Sequence, residues 1–146
     1  MNGCQKIANL RLSDYLQMTE AVFFLITANM LIFLVPFRWW HGWIGIKNKA
    51  SRDQTLTQKD IQSLNRIRHN VRRGNKLLFR SSKCFALSLT LKKMLQIRGY
   101  PSTLYLGVKK NKDKNLLAHA WVKYGNWVLY GGREADKHYT QLISFT

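Results

Sequence analysis

The sequence predicts an α+β fold, with helices first and a small antiparallel sheet after them. Three observations carry this. Up to Ile97 the apolar residues recur mostly at helical spacing. After Pro101 the period falls to two, in "STLYLGV", "LLAHAWVKY" and "WVLY". The last two of these runs are separated only by Gly125-Asn126, a tight hairpin turn pair. A chain of 146 residues without internal repeats is one domain by length. Residues 1–55 read as an N-terminal helical segment and 56–146 as the core, within one compact domain.

Residues Met1–Arg11 read as a polar arm. Ser13 or Asp14 is the candidate cap of a first helix over about 14–35. From Ala21 to Phe37 this segment carries no charge. It is short for a bilayer span, contains Thr27 and Asn29, and breaks at Pro36. Arg38 and tryptophans follow, as at an interfacial anchor. Two readings stand: a buried helix of a small domain, or a membrane-attached helix. A secretory signal is not read, because the apolar run starts late and lacks a small-residue cleavage site. Pro36–Ser51, with Trp39, Trp40, Trp43 and glycines at 42 and 45, reads as a break. Lys47–Gln54 reads as a connector.

The second helix opens on Thr57, with Asp60 three residues on, an acidic variant of the capping box. Leu56 and Ile61 hold the staple positions, and Leu64, Ile67 and Val71 continue the apolar face. Lys59, Arg66, Arg72 and Arg73 form a basic face, either solvated or the footprint of a partner. Gly74-Asn75 is the expected end. The third helix begins near Cys84 and is apolar on most sides through Ile97, so it is expected to be buried. Lys92, Lys93 and Arg98 load its last turns, where the dipole favours cations, and Gly99 stops it. The charged "KKNKDKN" then links the first two strands, and a short final strand is expected near Tyr139–Ile143. A two-residue turn at Gly125-Asn126 pairs Tyr124 with Trp127 and sets His119 opposite Gly132.

The formal charge of +17 attracts anions: nucleic acid, acidic lipid, or an acidic partner or peptide. The two cysteines, Cys4 and Cys84, make no disulfide framework and fit no zinc spacing, which points to a reducing, cytoplasmic setting. His41 and His69 lack a metal-ligand neighbour at useful spacing, and His138 lies in a polar stretch. His119 differs, sitting inside the strand-patterned "LLAHAWV". Cys84 at a helix start is either a small hydrophobe in the core or a nucleophile. The helix dipole, with Lys83 or Arg80, favours its thiolate, and His119 on a packed strand could serve as general base. Composition alone leaves both readings open.

The segment "CFALSLTLKKMLQIRGYPSTLYLGV", followed by "HAWVKYGNWVLYGG" and "YTQL", resembles the B proteins of lasso-peptide biosynthesis. These are transglutaminase-like, papain-related cysteine peptidases. "ANMLIFLVPFRWW" also looks like that family's N-terminal helical portion, so the resemblance spans roughly residues 20–142. It implies a stand-alone cysteine-type leader peptidase that cuts a ribosomally made precursor before a macrolactam-forming cyclase acts. It implies partners: the precursor's leader, a separate leader-recognition protein and the cyclase. It implies no directly bound cofactor; any ATP dependence would belong to the maturation system. Cys84 would be the nucleophile and His119 the base and acid, with the Cys84 backbone N–H in the oxyanion hole and the Ser81-Ser82 region a candidate second donor.

The departure from the family lies in the third member. Relatives often carry an aspartate near the position of Gly131, and Gly132 follows it here. Glu134, Asp136, Asn126 or a backbone carbonyl remain to orient His119. That gap supports a rival reading, a non-catalytic peptidase-like scaffold. A nucleic-acid-binding module is a second rival, resting on the charge and the basic helix Thr57–Arg73; against it, no recognition motif is present and the basic residues are spread. Peripheral membrane contact through Ala21–Phe37 is compatible with peptidase activity.

Overall fold

The helical and strand periods give nine elements among the described residues. The helices α1 (Leu12–Leu34), α2 (Phe37–Ile44), α3 (Gln58–Leu77) and α4 (Cys84–Ile97) come first. The strands β1 (Thr103–Lys110), β2 (Leu116–Tyr124) and β3 (Trp127–Tyr130) follow, then the short α5 (Ala135–His138) and β4 (Thr140–Phe145). The structure, a computed structural model, describes residues 11–45, 55–78, 83–110, 112, 115–132 and 135–146. The arm before Arg11, the connector at 47–54, Cys4, Arg80, Ser81, Ser82 and Glu134 lie outside them. The protein is α+β.

Local chemistry explains most boundaries and corrects several. The first helix is capped earlier than expected, at Arg11 rather than Ser13 or Asp14. Asp14 is instead the first-turn acid, its carboxylate accepting the Arg11 N–H at 3.2 Å. Pro36 does not open a break. It ends α1 and starts α2, because a proline is tolerated at a helix start where its missing N–H has no partner to lose. The Thr57–Asp60 capping box forms as read, with Asp60 N–H donating to Thr57 Oγ1 at 3.2 Å and Thr57 N–H to Asp60 Oδ2 at 3.1 Å.

Gly74 does not end α3, which continues to Leu77. A β-carbon at Gly74 would stand 3.2 Å from the Met18 carbonyl oxygen and 3.3 Å from Ala21 Cβ. The glycine is there for close approach of α3 to α1, not for a turn. Gly99 does stop α4, at φ +75°. The Tyr100 N–H returns to Leu95 O and the Gly99 N–H to Gln96 O, a Schellman end.

The sheet is antiparallel with strand order β3-β2-β1-β4. The hairpin joins Tyr124 to Trp127 as expected, with Gly125 at φ +52°. One residue later the register shifts: Lys123 pairs Val128, but Val122 pairs Tyr130, leaving Leu129 as a bulge. The bulge overturns the expected opposition of His119 and Gly132.

Alternation along the strands separates two faces. Leu104, Ala120, Val122, Tyr124 and Phe145 are buried in the core toward the helices. Tyr105, His119, Trp121 and Tyr139 form an aromatic row on the other face. The helix α4 is the middle layer, touching α1 and α3 on one side and β1 and β2 on the other. This double contact explains why it is apolar nearly all round, with Ala86, Leu89, Leu91, Met94 and Leu95 buried. The same burial takes in Lys92, which was expected on a charged outer turn. It is 3% exposed, and its Nζ donates to the Ser102 carbonyl at 2.9 Å.

Candidate active site

The start of α4 presents Cys84 at the first helical position, half-buried and packed against the core. The preceding Lys83 gives no capping hydrogen bond, and the first turn holds no acidic side chain. The positive end of the helix dipole therefore faces the thiol without a competing carboxylate in that turn. Tyr130, at the end of β3, stands within electrostatic range of Cys84. Burial pushes the Tyr130 hydroxyl up, and Arg72, whose guanidinium lies 5.7 Å from the ring centroid, opposes that. Arg72, on the exposed basic face of α3, is thus a cation close to this ring.

His119 lies on the central strand β2, half-buried. Its ring stacks on Tyr139 at 4.9 Å and on Trp121 at 6.5 Å between centroids. Lys109 Nζ sits 4.7 Å from the Tyr139 ring centroid. The decisive contact is between His119 Nε2 and the Gly131 carbonyl, at 2.7 Å. A carbonyl only accepts, so Nε2 carries the hydrogen. In the neutral ring this leaves Nδ1 as the lone-pair nitrogen, the one able to take a proton.

Gly131 is the position at which the resemblance to the B proteins implies an aspartate. Here its φ is +104°, and a β-carbon would stand 2.3 Å from Trp121 Cβ. No side chain fits, and the backbone carbonyl occupies the place of the orienting group. Asn126, one of the side chains considered for that role, lies exposed at the tip of the hairpin, away from the ring. Asp136 belongs to α5.

Two links bring the cysteine and histidine neighbourhoods together. Ser88, one helical turn after Cys84, donates from Oγ to the Ala120 carbonyl at 3.2 Å, and Ala120 follows His119. The consecutive residues Tyr130 and Gly131 supply a ring packed on the same core as Cys84 and the carbonyl that meets His119. In this structure no hydrogen bond joins the Cys84 thiol to the imidazole, which sits on the Trp121 side of the sheet. The remaining histidines are dispersed: His41 on α2, His69 on α3 and His138 on α5.

A thiol at the head of a buried helix, packed on a hairpin that carries an imidazole, defines a cysteine-peptidase-like α+β scaffold. Residues 31–144 match the transglutaminase-like superfamily, and the chain belongs to that superfamily. No curated protein and no solved structure matches the chain.

Proposed function

We propose that the protein is a cysteine peptidase that removes the leader from a lasso-peptide precursor. The superfamily supports a peptidase-like scaffold, and the motifs around Cys84 and His119 support the narrower reading. The observation that carries it is the Gly131 carbonyl on His119 Nε2, which holds the ring in the tautomer a general base needs.

In the reaction Nδ1 takes the Cys84 proton, and the thiolate attacks the scissile carbonyl at the leader–core junction. The Cys84 backbone N–H at the helix start stabilises the oxyanion. The imidazolium returns the proton to the leaving amine as the C–N bond breaks. Water, deprotonated by the same nitrogen, then releases the acyl group and restores the thiol. His119 lies on the sheet face away from α4, so the first proton transfer requires its imidazole to turn toward Cys84 when substrate binds.

The test mixes the protein with a precursor peptide and the separate recognition protein and reads cleavage by mass spectrometry. Cleavage lost in both Cys84→Ala and His119→Ala, with unchanged circular dichroism, is the expected result. Normal processing by Cys84→Ala overturns the proposal. The missing Cys84–His119 hydrogen bond favours a second reading, a non-catalytic scaffold that binds the leader; binding without cleavage in the same mixture would establish it.

A further inference from the structure

Helix α1 is apolar on two opposite faces. Met18, Ala21, Leu25 and Ala28 are buried on the inner face, where α1 contacts α3 and α4. Leu16, Phe23, Ile26, Met30 and Phe33 recur at helical spacing on the outer face, and all are exposed. Phe33 is 88% exposed and Phe23 65%. The most apolar 18-residue window of α1 has a mean hydropathy of 1.6, yet only 22% of it is buried. A helix whose apolarity served the core alone would be mostly buried and polar outside. The expectation of a buried helix therefore accounts for only half of its surface.

The helix is long enough to cross a bilayer, but its side contacts hold it to the domain. Asp14 is ion-paired to Arg66 and accepts from Asn70, both on α3. Glu20 takes a two-pronged bond from Arg98 beyond the end of α4. Stripping these contacts to span the membrane would leave charges and the inner core unpaired. An orientation flat on a surface keeps them all. At 1.5 Å per residue, α1 would lie along about 35 Å of that surface.

We propose that the outer face of α1 seats on an anionic lipid bilayer, side-on, with the adjoining α2 at the interface. Charge complementarity selects this occupant. The chain carries +17, so acidic headgroups attract it while a second copy is repelled. The exposed Arg38 and Trp39 (75% exposed) directly follow the stripe, a cation and an indole suited to the headgroup region. This inference does not depend on the peptidase reading.

The full chain is to be floated with vesicles of phosphatidylcholine alone or mixed with phosphatidylglycerol, and its size measured without lipid. Expected is a monomer that floats with the anionic vesicles and is depleted at least about tenfold from them by Phe23→Ser, Ile26→Ser and Phe33→Ser together. The substituted side chains are exposed, and circular dichroism verifies the fold. Quenching of tryptophan emission by brominated lipid should also fall in Trp39→Phe. Three results overturn the proposal: no flotation with either vesicle, equal flotation of the triple variant, or a lipid-independent dimer that the triple variant dissolves. The second would assign binding to charge alone, the third to another copy of the chain.

Discussion

The Gly131 carbonyl lies 2.7 Å from His119 Nε2, at a residue with space for no more than hydrogen on its α-carbon. A neutral acceptor, not a carboxylate, thus stands against the imidazole. It fixes the tautomer without supplying a counter-charge to the imidazolium. Gly131→Ala must place a β-carbon 2.3 Å from Trp121 Cβ at φ +104°. It is expected to destabilise the fold by about 2–4 kcal/mol in urea unfolding. Gly132→Ala meets no atom within 4 Å and bears only the strain of φ +100°, about 1 kcal/mol. Equal losses for the two would sink the steric argument.

Removing either reacting group should stop the chemistry without touching the fold. For Cys84→Ala and for His119→Ala we expect kcat/KM for leader cleavage to fall by at least about a thousandfold, and the double variant to lose little more. Single-turnover cleavage of precursor, read by mass spectrometry, checks both the size and the non-additivity.

Ser88 ties the helix of Cys84 to the strand of His119, since its Oγ and the Ala120 carbonyl meet in the core. Ser88→Ala should cost about 1–2 kcal/mol of stability, because it removes a buried hydrogen bond between the two elements. It should also lower kcat at unchanged fold, through looser placement of α4 on β2. A Ser88→Ala protein as stable and active as the parent would remove the tie from the account.

Asp14 predicts an acid limb. The Arg66 hydrogen bond above all, helped by Asn70 and Arg11 against the penalty of burial, lowers its pKa from 3.8 to about 2. A depressed carboxylate stabilises the fold above its unfolded pKa and loses that contribution as pH falls from 3.8 through about 2. The Arg66 end is open to water, so screening holds the effect to about 1 kcal/mol. Asp14→Asn should be less stable than the parent at pH 7, and the gap should narrow as pH falls below 3.8 and close only below about 2. Chemical denaturation at several pH values measures it.

Lys92 predicts the opposite limb. Burial first, and Lys93 second, lower its pKa from 10.5 to about 8. Between those values the unfolded chain holds a proton that the folded chain has released, so stability rises with pH across the window. Below it the buried charge is a full penalty. Lys92→Met should raise stability at pH 7 by about 1–2 kcal/mol, after the lost bond to Ser102 is set against it. It should also flatten the rise above pH 8. A steeper rise in the variant would show that another group titrates there.

The parts of this fold that were legible in the sequence are those decided within one turn of chain. The Thr57–Asp60 box, the Gly99 stop, the strand alternation and the Tyr124–Trp127 turn pair are all of that kind. What escaped was decided at a distance. Gly74 reads as a helix end but answers to Met18 and Ala21 on another helix. Lys92 reads as a cation in a favourable last turn, yet α4 is covered on both sides. The basic face of α3 reads as solvated or as the footprint of a partner; Lys59 and Arg72 are exposed, while Arg66 pairs with Asp14 and Arg73 donates to Asn70 within the molecule. The helix α5 has four residues and no periodicity to detect. At the candidate site, Cys84 and His119 stood out by type and context. The group on His119 did not, because a backbone carbonyl belongs to every residue, and only the bulge in the hairpin decides which one arrives.

The Glu20–Arg98 pair gives the molecule a sense of direction. Glu20 lies midway along the helix with the outward apolar stripe, and Arg98 closes the helix that begins with Cys84. That second helix is fourteen residues, a rod of about 20 Å. The thiol is thus mounted at the far tip of a rod whose near end is bolted to the helix with the outward apolar stripe. Any surface that sets the tilt of α1 also sets the compass bearing from which a peptide must approach the sulfur.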